Sequence, residues 1–356
     1  MIIFMKIGIV LHPYGEDKPA GLARTIFELT KGMIEVDDGK NEFLIYLKKR
    51  PVVLPDLPHK DRWRVVVPRG GRLWLDSLKH AERADLYFFN TPVMPLFWRP
   101  PRSIVLALDF AYLVFDKKDL FSRVRTFLTK WYHRRSLKKA DRIIAISEAT
   151  KKEVVKTFGI KPDKISVVLC GYKSICSVPE TPVPDLPAKY FLYVGIIKER
   201  KNLLRVVQAF ADYRQKGGDR KLVVAGSGSG DYFKSIKNFI SKKNLQNEVI
   251  FPGHMNDGQL SYVYRRAGAL AFPSIIEGFG YPVLEAMDCG VPVITSDQSS
   301  LCEIAGDAAA LVNPFNVSEI TTAMEKVTAD DGFRDKLKQK GLARAKEFSW
   351  RKAGRE

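Results

Sequence analysis

The chain has 356 residues, 46% hydrophobic and 28% charged, which allows a normal core in each of two domains. Its net charge of +18 is uneven: residues 1–180 hold 33 Lys and Arg against 20 Asp and Glu, or +13, and the remainder holds 25 against 20, or +5. A basic first half implies attraction to an anion such as nucleic acid, a phospholipid surface or a phosphorylated acceptor. No run approaches the ~18–20 uninterrupted apolar residues of a membrane span, and Cys170, Cys176, Cys289 and Cys302 show neither metal-ligand nor framework spacing, which points to a reducing cytoplasm.

The opening MIIFMKIGIVLHP is broken by Lys6 and lacks a charged leader and a cleavage site, so it reads as a first buried strand over residues 6–11. Gly15 and Gly21 follow it and precede a helix over 22–34, where backbone N–H groups can meet a phosphate. Apolar runs at 42–46, 64–67, 86–89, 104–108, 142–146 and 165–168 predict further strands, with helical patterns at 121–140 and 148–158. Such alternation argues for a parallel, doubly wound sheet. The strand over 104–108 ends at Asp109, either a turn or cap residue or a functional carboxylate.

From Phe121 to Arg142 runs a basic helix with Phe121, Val124, Phe127, Leu128, Trp131 and Leu137 along one apolar stripe. Packing on the sheet accounts for a stripe of that width. The competing reading is a peripheral contact with an anionic membrane, and RWRVVVPRGGRLW (62–74) shifts the balance towards it. A proline-rich segment over 175–189 reads as a linker.

A second alternation follows, with strands at 190–194, 221–225, 249–251, 270–272, 291–295 and 310–312. Ligands of such sheets bind at the carboxyl ends of strands. There lie Gly195 and KERKN with Arg200 and Lys201, GSGSG with Gly226 and Gly228, and the loop Gly253, His254, Met255. Two cations can hold a diphosphate, although a solvated basic loop would look the same. His254 reads as a loop-packing residue.

The most informative stretch is FPSIIEGFGYPVLEAMDCGVP (272–292). Glu277 and Glu285 flank a turn of Gly278, Phe279, Gly280, Tyr281 and Pro282 that opens a helix over 282–289. Backbone N–H groups at such a turn suit an anion, and each carboxylate can accept hydrogen bonds from sugar hydroxyls. No Asp-x-Asp pair and no His/Cys cluster with ligand spacing occurs, so no metal and no cofactor is expected.

Taken in order, YVGIIKERKN, LVVAGSGSG, FPSIIEGFGYPVLEAMDCGVPVITSD and SSLCEIAGDAAALVNP resemble the retaining glycosyltransferases of family 4, over nearly the whole chain. The resemblance implies an α/β GT-B fold, two Rossmann-like domains facing across a cleft: an acceptor-binding domain over 1–174, the linker over 175–189 and a nucleotide-sugar-binding domain over 190–356. It implies that Glu285 binds the ribose, that Glu277 with Gly278, Phe279 and Gly280 holds the hexose and distal phosphate, and that Arg200 and Lys201 hold the diphosphate. Gly21 takes the place of the N-terminal glycine loop, although the family often has two adjacent glycines. The implied reaction is a metal-independent front-face transfer of a hexose to a glycan or lipid-linked acceptor. GDP-mannose is favoured over a UDP-hexose, because the segment is similar to mannosyltransferases of surface-polysaccharide assembly.

Two departures stand out. Where many members place a histidine there is Leu108, so that either Asp109 takes over the contact with the sugar, or the donor-sugar pocket differs, or activity is reduced. The chain also ends at Glu356, where members usually continue a helix back onto the first domain. Two other readings stay open: a catalytically weak sugar-nucleotide-binding or scaffolding member, and a basic nucleic-acid binder, for which no recognition module is present. No nucleic acid is expected as a partner, and the expected working place is the cytoplasm, at or near the inner face of the membrane.

Overall fold

The computed structural model describes residues 5–11, 21–50, 56–71, 73–115 and 120–356; Gly15 lies outside them. The chain divides into two compact units, Met1–Gly171 with Phe348–Glu356, and Tyr172–Glu347.

In the first unit the strands are β1 (Met5–Val10), β2 (Asn41–Tyr46), β3 (Trp63–Val66), β4 (Leu86–Phe89), β5 (Ser103–Ala107), β6 (Arg142–Ala145) and β7 (Ile165–Val167). They form one sheet in the order β3-β2-β1-β4-β5-β6-β7, every described pairing parallel. Helices α1 (Gly21–Val36), α2 (Tyr112–Phe115), α3 (Leu120–Lys139) and α4 (Glu148–Phe158) connect them. Helix α4 shows why such segments stop where they do: the Ser147 hydroxyl accepts the Thr150 N–H at its start, and Gly159 takes the left-handed conformation at its end.

The second unit carries β8 (Tyr190–Val194), β9 (Lys221–Ala225), β10 (Val249–Gly253), β11 (Ala269–Phe272), β12 (Val293–Ser296) and β13 (Ala310–Val312), ordered β10-β9-β8-β11-β12-β13 and again parallel. Its helices are α5 (Leu203–Gln215), α6 (Gly230–Lys242), α7 (Asp257–Arg266), α8 (Tyr281–Asp288), α9 (Ser299–Ala305), α10 (Val317–Ala329) and α11 (Asp331–Ala345). Strands β8, β11 and β12 are buried end to end, as a sheet covered on both faces requires.

Three expectations from sequence change. The linker is no free tether. Cys176 is disulfide-bonded to Cys289 with Cα atoms 5.5 Å apart; Tyr172 and Ser174 hydroxyls donate to Asp288 at 3.0 and 2.5 Å; Thr181 N–H donates to Gly258 O at 3.0 Å. The segment is thus a strap on α7 and α8, and the boundary falls at Gly171. The pairing also removes the cysteine argument for a reducing compartment.

Secondly, the last nine residues leave the second unit and return to the first as α12 (Trp350–Arg355). Glycines let it approach: a Cβ on Gly171 would lie 2.1 Å from Trp350 N, and one on Gly32 of α1 would lie 2.3 Å from Trp350 O.

Thirdly, the stripe on α3 faces water. Phe121 is 79% exposed, Phe127 69% and Trp131 53%, with Val124 and Leu128 also exposed; only Leu137 of the expected set is buried. Buried Thr126 and Leu137 and half-buried His133 mark the opposite side, which packs inward. No described helix is long and apolar enough to cross a membrane.

Candidate functional site

Neighbouring strands β8 and β11 mark the point where the strand order of the second sheet reverses, the ordinary ligand position of such a fold. Two loops meet at their carboxyl ends, where two contacts lock them together and a third ties in the segment after β13. Ile275 N–H donates to Arg200 O at 2.8 Å. Buried Asn202, in the left-handed conformation at φ 62°, donates its Nδ2 to Pro273 O at 2.9 Å and Pro314 O at 2.6 Å. Sequence reading passed over Asn202; its signal was the asparagine at the helix entry of KERKN, a residue type that tolerates positive φ.

This stitching brings Arg200 and Lys201 onto Glu277. Arg200 Nη1 lies 3.0 Å from Glu277 Oε2 and donates to Ile276 O at 3.2 Å. Lys201 Nζ lies 2.6 Å from Glu277 Oε1 and 4.9 Å from the centre of the Phe272 ring. Glu277 is only 8% exposed. Burial by itself would raise its pKa, but the two cations outweigh that and hold the carboxyl below the usual carboxylate range.

The backbone of the turn is anchored by two serines outside the expected set. Ser299 Oγ accepts the Glu277 N–H at 3.0 Å and donates to Glu277 O at 2.8 Å. Buried Ser300 Oγ lies 2.9 Å from both Glu277 O and Phe279 O. Gly280 caps α8 at φ 119°, where a Cβ would lie 2.6 Å from Leu301 Cδ2, so glycine is required there. Tyr281 and Pro282 are the first two residues of α8, and Phe279 packs against the Tyr281 ring. One turn further, Glu285 Oε2 accepts the Tyr264 hydroxyl at 3.0 Å. Tyr264 is fully buried, and burial together with Glu285 keeps its phenol protonated.

The other glycines sort differently from the sequence reading. A Cβ on Gly226 would lie 2.0 Å from Gly195 O, and one on Gly228 2.7 Å from Ile197 Cβ. Close approach of the neighbouring loop is thus reason enough for both. Gly195 at φ 135° and Gly253 at φ 89° need glycine for their backbone conformation. Met255 is buried and His254 is exposed, which removes the packing role expected of His254.

In the first unit, Gly21 opens α1. Leu108 is buried in the core, and Asp109 Oδ1 accepts the Ala111 N–H at 2.5 Å, closing its own turn. Beside it, burial and the Asp109 charge push Glu153 up to about 7, while burial pushes His133 down to about 4. The Tyr112 hydroxyl lies 2.8 Å from His133 Nδ1. Among the described residues no group of His, Cys, Asp and Glu comes together as metal ligands would.

Residues 21–173 match the family model described as Glycosyltransferase Family 4, and residues 180–344 match that described as Glycosyl transferases group 1. The chain belongs to the family 4 glycosyltransferases of GT-B fold. It is 28% identical over 319 residues to the O-antigen chain mannosyltransferase B of Escherichia coli, covering 86% of this chain and 79% of that one. To a serotype-specific mannosyltransferase WbdA of the same organism it is 30% identical over 228 residues, 60% of this chain but 27% of that longer protein.

Among solved structures, a sucrose-phosphate synthase from Thermosynechococcus elongatus superposes with a TM-score of 0.73 at 19% identity, covering 98% of this chain and 96% of that one. Anabaena HepE in complex with UDP and glucose superposes with a TM-score of 0.70 at 17% identity, over 99% and 97% of the two chains. These likenesses show the two-domain α/β fold. The glycosyltransferase is a hexosyltransferase, moving a sugar from a nucleoside diphosphate sugar to an acceptor.

Proposed function

We propose that the enzyme transfers mannose from GDP-mannose to a hydroxyl of a glycan or lipid-linked acceptor, with retention of anomeric configuration and without a metal. The observation that carries this reading is the Glu277 carboxylate set between Arg200 and Lys201 at the strand-order reversal. A diphosphate arriving there meets two cations and the amino end of α8, so charge developing on the leaving group is neutralised by groups already in place. Glu277, kept ionised, accepts hydrogen bonds from hexose hydroxyls; Glu285, oriented by Tyr264, accepts them from the ribose. With no carboxylate assigned as nucleophile, the leaving diphosphate helps to deprotonate the acceptor on the same face. Mannose is favoured because the Escherichia coli relatives in sequence are mannosyltransferases. Gly21 and Asp109, in the first unit, enter this proposal through the family resemblance alone.

Replacing Lys201 by alanine is expected to lower kcat by about 10²-fold or more, the scale of losing one charge-stabilising donor. Glu277→Ala and Glu277→Gln are expected to abolish transfer yet leave GDP binding by calorimetry intact or tighter, because a negative charge beside the diphosphate is gone. Loss of GDP binding in both would sink the sugar assignment of Glu277. A thermal-shift series in which UDP stabilises and GDP does not would sink the choice of base.

A peripheral contact with an anionic membrane is part of the same proposal, supported by α3. Its 20 residues carry seven Lys and Arg and no acid, and its outward face is aromatic. Beside it, Phe97 is 78% exposed on a loop held firmly by Asp76, which accepts the N–H groups of Leu96, Phe97 and Trp98, and by Arg135, which donates to Leu96 O. A rigid loop presenting a bare phenyl ring beside a basic helix suits an anionic bilayer surface. Phe127→Ser with Trp131→Ser is expected to weaken co-sedimentation with phosphatidylglycerol vesicles by about tenfold or more; unchanged binding would exclude α3.

A further inference from the structure

The outward face of α3 changes character along its length. Residues Phe121, Val124, Leu128, Trp131, Arg135 and Lys138 follow one another at alternating three- and four-residue spacing, so they share one line on the helix surface. All six are exposed. The line is apolar over its first half and basic at its end.

Its basic end opens into a recess of about 370 Å³ lined by Lys138, Arg142, Gly159, Ile160, Lys161, Asp163 and Lys164. Four of these side chains are cationic and one is acidic. Lys138, Arg142 and Lys161 are exposed, Lys164 is half-buried, and Ile160 is buried among them. The framework is set by two contacts: Lys164 Nζ donates to Lys138 O at 2.8 Å, and Arg142 Nη1 donates to Asp163 O at 3.1 Å. Arg142 opens β6 and Lys164 immediately precedes β7, so the recess lies at the amino edge of the first sheet. Asp109 and Ser147 lie at the opposite, carboxyl edge, beyond the ends of β5 and β6. The reaction places no demand on this cluster.

Cations spread over a flat surface attract any anionic lipid. Cations gathered round a concavity favour one compact anion that carries more than a single charge. We propose that the recess binds the phosphate of a multiply charged lipid headgroup, a phosphomonoester, while the apolar line of α3 enters the bilayer beside it. This rests on the membrane reading of α3 and adds a headgroup site to it.

The test uses the full chain and two vesicle compositions matched for surface charge, phosphatidylcholine with phosphatidic acid and phosphatidylcholine with phosphatidylglycerol. The protein is expected to bind the phosphatidic acid vesicles about tenfold more tightly. With about 1 kcal/mol per cation near such a surface, the double variant Lys138→Gln, Lys161→Gln should lose roughly 30-fold on phosphatidic acid. It should lose much less on phosphatidylglycerol and keep its melting temperature, both side chains being exposed. Arg123→Gln with Lys130→Gln removes the same charge elsewhere on α3 and should weaken both lipids alike, the preference surviving.

A preference that persists in the Lys138, Lys161 variant, or equal binding of both lipids by the parent, overturns the recess and leaves the α3 reading standing. Failure to bind either vesicle overturns both. Displacement from phosphatidic acid, but not from phosphatidylglycerol, by millimolar inorganic phosphate at constant ionic strength assigns the recess to free phosphate and overturns the lipid.

Discussion

At Glu153 the packing of the first unit works against a charge. Burial is the larger influence and the neighbouring Asp109 the second, and together they push the carboxyl from 4.5 up to about 7. Below about pH 4.5 the residue is protonated in the folded and unfolded chain alike and makes no difference. Between 4.5 and about 7 only the unfolded chain releases the proton, so folding loses stability as pH rises; above 7 the loss is complete. Because the residue is half-buried, solvent screening trims it to about 1–2 kcal/mol. Glu153→Gln should therefore raise the stability of the first unit by that amount at pH 8 and leave it unchanged at pH 4. Denaturant melts at the two pH values decide this, and an equal effect at both would show that the charge is not the cause. Glu277 is the contrasting case. There the same burial is overcome by Lys201 and Arg200, so its contribution is present above about pH 4.5 and disappears only as pH falls through a pKa lower than that.

Elements show why some of this architecture was legible in the sequence and some was not. Buried parallel strands announce themselves as unbroken apolar runs such as YFLYV and ALAF, and β8 and β11 lie where those runs are. The paired glutamates and the Arg200–Lys201 doublet stood out because charged residues next to a glycine turn need a partner or a ligand. Periodicity in α3, by contrast, reveals that a face exists but not whether a neighbour covers it. The segment over 175–189 reads as a linker from sequence because prolines suit an extended segment whether it hangs free or, as here, lies on α7 as a strap. Its disulfide joins cysteines 113 positions apart, and no local pattern marks such a pair. That loop length gives the strap energetic weight: closing it removes about 3–5 kcal/mol of disorder from the unfolded chain. Reduction, or Cys176→Ser with Cys289→Ser, is expected to lower the unfolding free energy of the second unit by about that much. Melts with and without dithiothreitol report it, and coincident curves with the thiols shown free would mean that Asp288 and the strap contacts suffice without the bond.

On the scale of the whole molecule, the first unit is assembled from both ends of the described chain, whereas the second is one uninterrupted stretch. Helix α12 is what closes the first unit. It sits so near α1 that a Cβ on Gly354 would fall 2.4 Å from Gly32 C, and it brings buried Phe348 and Ala353 with it. Removing residues 348–356 therefore injures the part of the protein most distant in sequence. Losing those buried side chains costs about 2–4 kcal/mol, which for a unit of this size lowers its melting temperature by about 5–15 °C. Glu277, Arg200, Lys201, Glu285 and Tyr264 all belong to Tyr172–Glu347 and reach one another without the first unit. The shortened chain should thus show a lowered first transition beside an unshifted second one, and GDP should still raise the second. Calorimetry with and without GDP separates the two transitions. A single transition that falls as a whole would mean that the units do not unfold independently, and loss of the GDP effect would mean that the nucleotide site depends on more than the second unit.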